Sequence, residues 1–594
     1  MKRKAKQEDL MNVAAGILLS FVFQFVLVTV PDVHGQSNFP AFPGNTFEQR
    51  KQAYINDQGK AWERWYPGAM VHAIWAWLEK PAGNKARISK EIEYLTGDNA
   101  MGWKNAWWDG DHRTPIFAIR IYMQYYKQKK VISDADAEKL KEKLNIIATR
   151  SNVWCAVANY HFRYIVTAYL YATLIEDIGD VKFQDPTNEA GACPKTFTYN
   201  GRQYIRGQFY DAKKIYRDFL NHKIDQWLKK GDQEDFGGYY YAQVHSMAAL
   251  ADFALDPELK QKGKMLYDFL IFNWAVSFSA NHPGGGHGRH YVKNEKPGLQ
   301  SFPWTIYFNL YGKADIGRKW SYADAYVFQH RFPQLFTDIV EMKNEGDDFY
   351  RIVRGNIPNL SGKNDYSVLP RAHRYDYITK YYNLGGANFG TGWELNIEAQ
   401  DVPFKLWINQ YENEPDPDDQ NDQNWPNIPL TSLGTFSYQH RNALYYTGGG
   451  YLHQWLGDNR WDAQSEESGW NFFRKGKVSV AVKMSVSGPG ALEVATIGVD
   501  YSSYNDFKTA IKNNADLSGG FFKTSKGFVI NKGYVDYGNE FTQLPFDRLE
   551  VWEGRVSRND ERKIVDWRNN VMHVAKYGNE VFYNFNTWTI HKEG

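Results

Sequence analysis

The hydrophobic period changes once along this 594-residue chain, and that change limits what it can fold into. From about residue 45 to 345, apolar residues recur every three to four positions. The runs are AWERWYPGAMVHAIWAWLEK (61–80), TPIFAIRIYMQYYKQKK (114–130), FRYIVTAYLYATLIEDIG (162–179) and VHSMAALADFALDPELKQKGKMLYDFLIFNWAVSF (244–278). This is the spacing of amphipathic helices with wide apolar faces. DADAEKLKEKLNIIATR (134–150) adds a helix with an acidic start. Gly, Pro and Asn separate the runs. Such helices must bury their apolar stripes on one another, and their number and order suit an array of antiparallel helix hairpins, without a fixed-period repeat.

From about residue 375 the period falls to two. KYYNLGGANFGTGWELNIEA (380–399), FKLWINQYE (404–412), NALYYTGGGYLHQWL (442–456), KVSVAVKMSVSG (477–488), LEVATIGVDY (492–501), GFVINKGYVDYG (527–538) and RLEVWEGRVSR (548–558) read as short strands bounded by Gly and Asn turns. They predict an antiparallel, sandwich-like β domain of stacked sheets. The expected fold class is therefore α+β and multidomain, with helices over 36–350 and sheets over 375–594. The acidic run NEPDPDDQNDQNWPNIP (413–429) reads as a solvated loop, since it lacks the spacing of a calcium-binding EF-hand.

The first 35 residues are set apart. MKRKAKQED is followed by VAAGILLSFVFQFVLVTV (13–30) and PDVHGQ, a basic start, an apolar run and the small residue Gly35. This is the pattern of a secretory signal over 1–35, with an uncleaved anchor as the alternative. It predicts a secreted or periplasmic protein with no other membrane segment. Cys155 and Cys193 are the two cysteines, a pair that an oxidising compartment allows to bridge.

Lys plus Arg number 70 against 68 Asp plus Glu, a net charge of +2, which speaks against a nucleic-acid partner. Aromatic residues reach 16%, with 21 Trp and 40 Tyr, many in polar company. Flat rings with a polar tip are a surface for stacking on sugars. No CxxC or HExxH pattern occurs, and neither a metal nor a cofactor is expected.

Four polar clusters stand out against the apolar helices: WWDGDHR (107–113), ANYHFRY (158–164), DFGGYYYAQVH (235–245) and GGGHGRHY (284–291). The last lacks the Lys-Ser/Thr of a phosphate-binding loop. It presents His287, Arg289, His290 and Tyr291 beside a glycine-permitted turn, where an arginine can clamp a carboxylate with two parallel hydrogen bonds. In the second cluster, Asn159 and Arg163 share one helix face and His161 and Tyr164 another. In the third, a tyrosine beside a cation can act as base and acid. Each cluster also has a plain structural reading: a helix-ending loop, satisfied core polar groups, or aromatic packing at a helix start.

The run from Tyr239 to Tyr291, with its tyrosine pair, the LADFALDPEL helix and the HGRHY loop, resembles the helical core of toroid-plus-sheet polysaccharide lyases. ANYHFRYIVTAYL resembles that family's Asn-His segment, although Tyr160 here separates Asn159 from His161. QHRNALYYTGGGYLHQW, GWNFFRKGKVSVAVKM and LEVATIGVDYSSYNDFKTAI look like its β domain. The resemblance covers most of the chain after the signal, and alginate and glucuronan lyases are the members most like it. It implies an N-terminal (α/α) toroid and an anionic, uronic-acid polysaccharide as the partner. It also implies β-elimination, with Tyr239 as base and acid, or Tyr240 in its place. Asn159, His161 and Arg289 would neutralise the C6 carboxylate. Trp108, Asp111, His112, Arg113, Arg163, His245, His287 and Tyr291 would line the cleft, Trp108 by stacking, with His245 and His287 as reserve bases. Two other classes stay open. A glycoside hydrolase would need two carboxylates, for which Asp109, Asp111, Glu234 and Asp235 are candidates. A glycan-binding envelope protein would bind oligosaccharide and release nothing.

Overall fold

The computed structural model describes residues 46–57, 70–97, 114–149, 158–183, 195–230, 241–279, 282–283, 310–311, 323–341, 348–358, 371–388, 404–408, 436–447, 461–484, 489–518, 520–531, 548–555, 561–568, 570–576 and 578–593. All of them belong to one compact unit, Phe42–Gly594. It is a mixed helix-and-sheet structure with several antiparallel sheets. No helix among the described residues is long and apolar enough to cross a membrane.

The helices are α1 (Phe47–Asp57), α2 (Met70–Glu79), α3 (Lys85–Thr96), α4 (Thr114–Arg120), α5 (Asp134–Thr149), α6 (Ala158–Leu174), α7 (Ala212–Lys230), α8 (Tyr241–Phe253), α9 (Pro257–Ala275) and α10 (Gln334–Glu341). A 3₁₀ turn, Ala323–Val327, precedes α10, and α4 runs on into a π-helical stretch, Ile121–Gln128. Three small strand pairs decorate this region: β1 (Asp180–Lys182) with β4 (Phe209–Asp211), β2 (Thr196–Tyr199) with β3 (Arg202–Ile205), and β5 (Phe278–Ser279) with β6 (His282–Pro283).

Helix α9 joins the helices to the sheets. Met265 to Phe272 are buried without a break, so this helix has no solvent face along its middle. On one side Gly263 lets its backbone approach α8 closely: a Cβ there would stand 2.7 Å from the Ala251 nitrogen and from the Leu250 Cβ. On the other, Phe269 meets Trp567 edge-on with ring centroids 4.1 Å apart. The buried Lys262 ammonium lies 5.0 Å from the Trp588 ring and donates to Asn221 Oδ1 at 2.6 Å. Just past the helix end, Ser277 donates to Asp376 Oδ2 at 2.9 Å and its carbonyl accepts from Asn383 Nδ2 at 3.1 Å.

The strands that follow are β7 (Asp348–Pro358), β8 (Arg371–Thr379), β9 (Tyr382–Asn388), β10 (Phe404–Ile408), β11 (Phe436–His440), β12 (Ala443–Thr447), β13 (Ala463–Glu467), β14 (Trp470–Lys475), β15 (Val478–Lys483), β16 (Pro489–Thr496), β17 (Asp516–Ser518), β18 (Phe521–Lys523), β19 (Val529–Asn531), β20 (Arg548–Arg555), β21 (Glu561–Arg568), β22 (Val571–Lys576), β23 (Asn579–Asn584) and β24 (Thr589–Glu593). Nine of them form one sheet in the order β10-β9-β8-β7-β20-β21-β22-β23-β24, and six form a second in the order β11-β12-β16-β15-β14-β13. Strand alternation decides the layers. In β8, Tyr375 and Tyr377 face the six-stranded sheet, whereas Ile378 joins the core shared with the helices. In β15, Val478, Val480 and Val482 point into the space between the two sheets and Ala481 points out of it. That outer face is covered by α11 (Tyr504–Asn514), through Phe507 and Ile511, and by the three-stranded sheet β17-β18-β19, through Phe522 and Ile530. The order of layers is helices, nine strands, six strands, then α11 with three strands.

Candidate active site

Three of the four polar clusters found in the sequence lead directly into α4, α6 and α8. These helices pack on one another pairwise. Phe117, in the first turn of α4, has its ring 5.1 Å from that of His245, in the second turn of α8. Arg163, in the second turn of α6, lies close enough to His245 to lower its proton affinity. The early turns of the three helices therefore meet.

Arg163 and His245 lie inside this helical layer, Arg163 wholly buried and His245 2% exposed. Nε2 of His245 lies against Oδ2 of Asp324, a wholly buried carboxylate on the 3₁₀ turn. The rings of Phe117 and Phe328 flank the imidazole, the second at 5.6 Å. Loss of solvation on burial is the main cause that pushes the His245 pKa down. The Arg163 and Arg120 charges act in the same direction, and Asp324 opposes them. Burial thus favours the neutral form of the imidazole.

A second ion pair lies farther along the same helices. Arg120 Nη1 donates to Asp252 Oδ2 at 2.7 Å, and the guanidinium lies 5.0 Å from the Phe253 ring and 4.8 Å from the Phe328 ring. Asp252 also accepts the backbone N–H groups of Gln329 at 3.1 Å and His330 at 2.9 Å. The His330 ring then meets Asp268 Oδ1 through Nε2 at 2.7 Å, and Tyr583 of β23 donates to Asp268 Oδ2 at 2.7 Å. A polar chain thereby crosses the molecule from α4 to the nine-stranded sheet. The Asp252 and Asp324 carboxylates of the helical layer each face a basic partner, so neither suits the opposed carboxylate pair of a glycosidase.

The tyrosines around this layer hold their protons tightly. Burial, as the leading cause, raises the pKa of Tyr54, Tyr125, Tyr267 and Tyr326 above the phenol range. None of these four is suited to act as a base. No group of three or more His, Cys, Asp or Glu side chains among the described residues is arranged to hold a metal ion.

Of the residues singled out in the sequence, Trp108, Asp111, His112, Arg113, Tyr239, Tyr240, His287, Arg289 and Tyr291 lie outside the described residues, as do the signal segment, both cysteines and the hydrolase candidates Asp109, Glu234 and Asp235. Asn159 and His161 stand in the first turn of α6, and their side chains also lie outside the described set. Sequence reasoning missed Arg120, Asp252 and Asp324. Their signal was a charged residue interrupting an apolar run: FAIRIYM, ALADFAL and SYADAYVF.

No protein-family model matches the chain, and no curated protein matches it significantly in sequence.

Proposed function

We propose that the chain is an exported polysaccharide lyase. In this reading the helices form an (α/α) toroid, and a uronic-acid polymer of the alginate or glucuronan kind binds across the end where α4, α6 and α8 begin. The observation that carries the reading is the meeting of those three helix starts over the buried Arg163, His245 and Asp324. Helix N-termini carry partial positive charge and unpaired N–H groups. With a guanidinium beneath them they suit an anionic ligand.

The chemistry follows from the substrate class. The C5 proton lies α to the C6 carboxylate and is poorly acidic while that group is an anion. Arg289, His161 and Asn159 would hold the carboxylate and favour the charge that develops on it. Tyr239, or Tyr240 in its place, would take the C5 proton. The C5–H electron pair then forms the C4=C5 double bond and the C4–O4 bond breaks. The same phenol returns a proton to O4, and no water is consumed. The raised pKa of the buried tyrosines in the helical layer supports giving this work to the pair that precedes α8.

The test is a panel of purified polyglucuronate, polymannuronate, polyguluronate and glycosaminoglycans, followed by ultraviolet absorbance of the enoate. Unsaturated ends from one member are the expected result. Reducing ends without the enoate would point to hydrolysis.

A further inference from the structure

We propose that Asp268, His330 and Tyr583 form a pH-sensitive latch between the helical layer and the nine-stranded sheet, closed while the pair Asp268–His330 holds one proton and loosened when that proton is lost to solvent. The latch stands on its own contacts and does not rest on the lyase reading.

The three groups come from three parts of the chain: Asp268 from α9, His330 from the segment after the 3₁₀ turn, and Tyr583 from β23. The Asp268 carboxylate is sealed from water and both of its oxygens are engaged. Oδ1 meets His330 Nε2 and Oδ2 accepts from the Tyr583 hydroxyl, each at 2.7 Å. Burial, with Asp268 acting in the same direction, pushes the Tyr583 pKa up, so the phenol keeps its proton and donates it. The His330 side chain keeps 18% of its surface exposed, so its ring can exchange protons with solvent.

Charge decides which state closes the latch. Burial is the main cause that raises the Asp268 pKa; His330, Tyr583 and Lys592 oppose it. The other charged and titratable groups around the pair, among the described residues, are engaged elsewhere or stand in water. Arg120 on α4 pairs with Asp252 on α8, which also accepts the His330 backbone N–H at 2.9 Å. Arg331 donates to the Phe328 carbonyl, and its guanidinium lies 4.2 Å from the Phe47 ring. Tyr267 on α9 meets the His330 ring edge-on at 5.6 Å, and burial raises its pKa. Lys592 on β24 is exposed. His330 is therefore the group in contact with Asp268 that can balance its charge. With one proton between them the pair is neutral overall; without it, a buried carboxylate faces an uncharged ring, a costly state. Opening lets water reach the carboxylate and removes that cost. The closed junction thus holds a proton that the open one gives up more readily. Its stability is whole at the acid end and falls as pH rises. The His330 backbone is tied to Asp252 and so to Arg120, whose charge bears on His245, which connects the latch with the candidate site.

The test is hydrogen exchange on the full chain from about pH 5.5 to 8.5, corrected for the intrinsic rate. Protection of β22 to β24 is read against the six-stranded sheet of the same molecule. Wild-type protein is expected to lose about tenfold or more of that relative protection as pH rises. His330→Gln, whose amide can donate but does not titrate, should give a flat profile. His573 on β22, which meets Glu580 at 3.0 Å, and His591 on β24 are the other imidazoles of these strands. The double variant His573→Gln, His591→Gln should keep the wild-type slope. A flat or reversed wild-type profile overturns the proposal, as does a slope that survives His330→Gln or disappears in the double variant. If His330→Gln does not fold, Asp268→Asn takes its place: it has no buried charge to balance, and a retained slope decides against the latch equally.

Discussion

Arg120 and Asp252 stand 132 positions apart in the chain and meet in a buried ion pair, Nη1 to Oδ2 2.7 Å. A buried charge that loses its partner is costly, because no water replaces what was removed. Arg120→Met leaves Asp252 with two backbone N–H donors but no counter-charge. We expect it to lower unfolding stability by about 3–5 kcal/mol in urea titrations. A loss below about 1 kcal/mol would show that the pair is not buried as described.

Glu91 on α3 is 2% exposed, and its Oε1 has no hydrogen-bond partner among the described residues. Burial, against a small opposing effect of Lys90, pushes its pKa up to about 8. The folded state therefore holds a proton that the unfolded chain releases near pH 4.5. Its contribution to stability is whole below pH 4.5 and declines as pH rises towards 8. Glu91→Gln removes this slope. We expect a gain of roughly 2–3 kcal/mol at pH 7 relative to wild type, and little difference at pH 4. Thermal melts of both proteins across that range check it, and parallel pH profiles would refute the buried acid.

The close approach of α9 to α8 depends on Gly263. A methyl group there would stand 2.7 Å from backbone and side-chain atoms of α8, distances that real contacts do not reach. Gly263→Ala is expected to cost about 1–3 kcal/mol although alanine is the better helix former. A stabilised variant would mean that the two helices sit farther apart.

Tyr583 ties β23 to α9 through Asp268. Tyr583→Phe keeps the ring packing against Phe336 and Phe585 but removes one of the two donors to a buried carboxylate. The expected loss is about 1–3 kcal/mol. Hydrogen exchange should show faster opening of β22 to β24 than of the six-stranded sheet. Equal acceleration everywhere would argue against a local tie.

Much of the secondary structure is legible in the sequence because a single period dominates each half. The run 244–278 reads as one helical stretch, and Asp256–Pro257 divides it into α8 and α9. KVSVAVK alternates in sequence and in β15 alike. The misses have physical reasons. Helix α11 lies among strand patterns and has only two buried apolar residues to mark it. Its signal was local: Ser503 accepts the Asp506 N–H at 3.1 Å, a cap that SYND announces. Strand β7 carries Arg351 and Arg354 among its apolar residues and does not read as a core strand, yet it is an interior strand of the nine-stranded sheet, between β8 and β20, where Arg351 donates to Glu561 at 2.7 Å. Lys262 reads as a solvated charge in KQKGK, and only the fold shows it sealed beneath Trp588. In the candidate site, sequence reasoning singled out Arg163 and His245 by their polar neighbours. It missed Asp324, whose one signal is an acidic residue interrupting the apolar run SYADAYVF, because only the turn brings that carboxylate to the imidazole.

The tyrosine pair before α8 is the chemical core of the lyase reading. Tyr239→Phe and Tyr240→Phe should separate the roles. We expect one to lose activity by about 100-fold or more and the other to change mainly KM. Near-normal rates in both folded variants would remove the phenol from the mechanism.

The most direct test is product analysis on the chain that begins after residue 35. Incubated with polyglucuronate, alginate and glycosaminoglycans, it should release oligosaccharides with a C4=C5 unsaturated end, seen as enoate absorbance and as a mass 18 Da below the hydrolysis product, the mass of one water. Saturated products from any of these polymers, or binding with no product at all, would contradict the assignment to elimination.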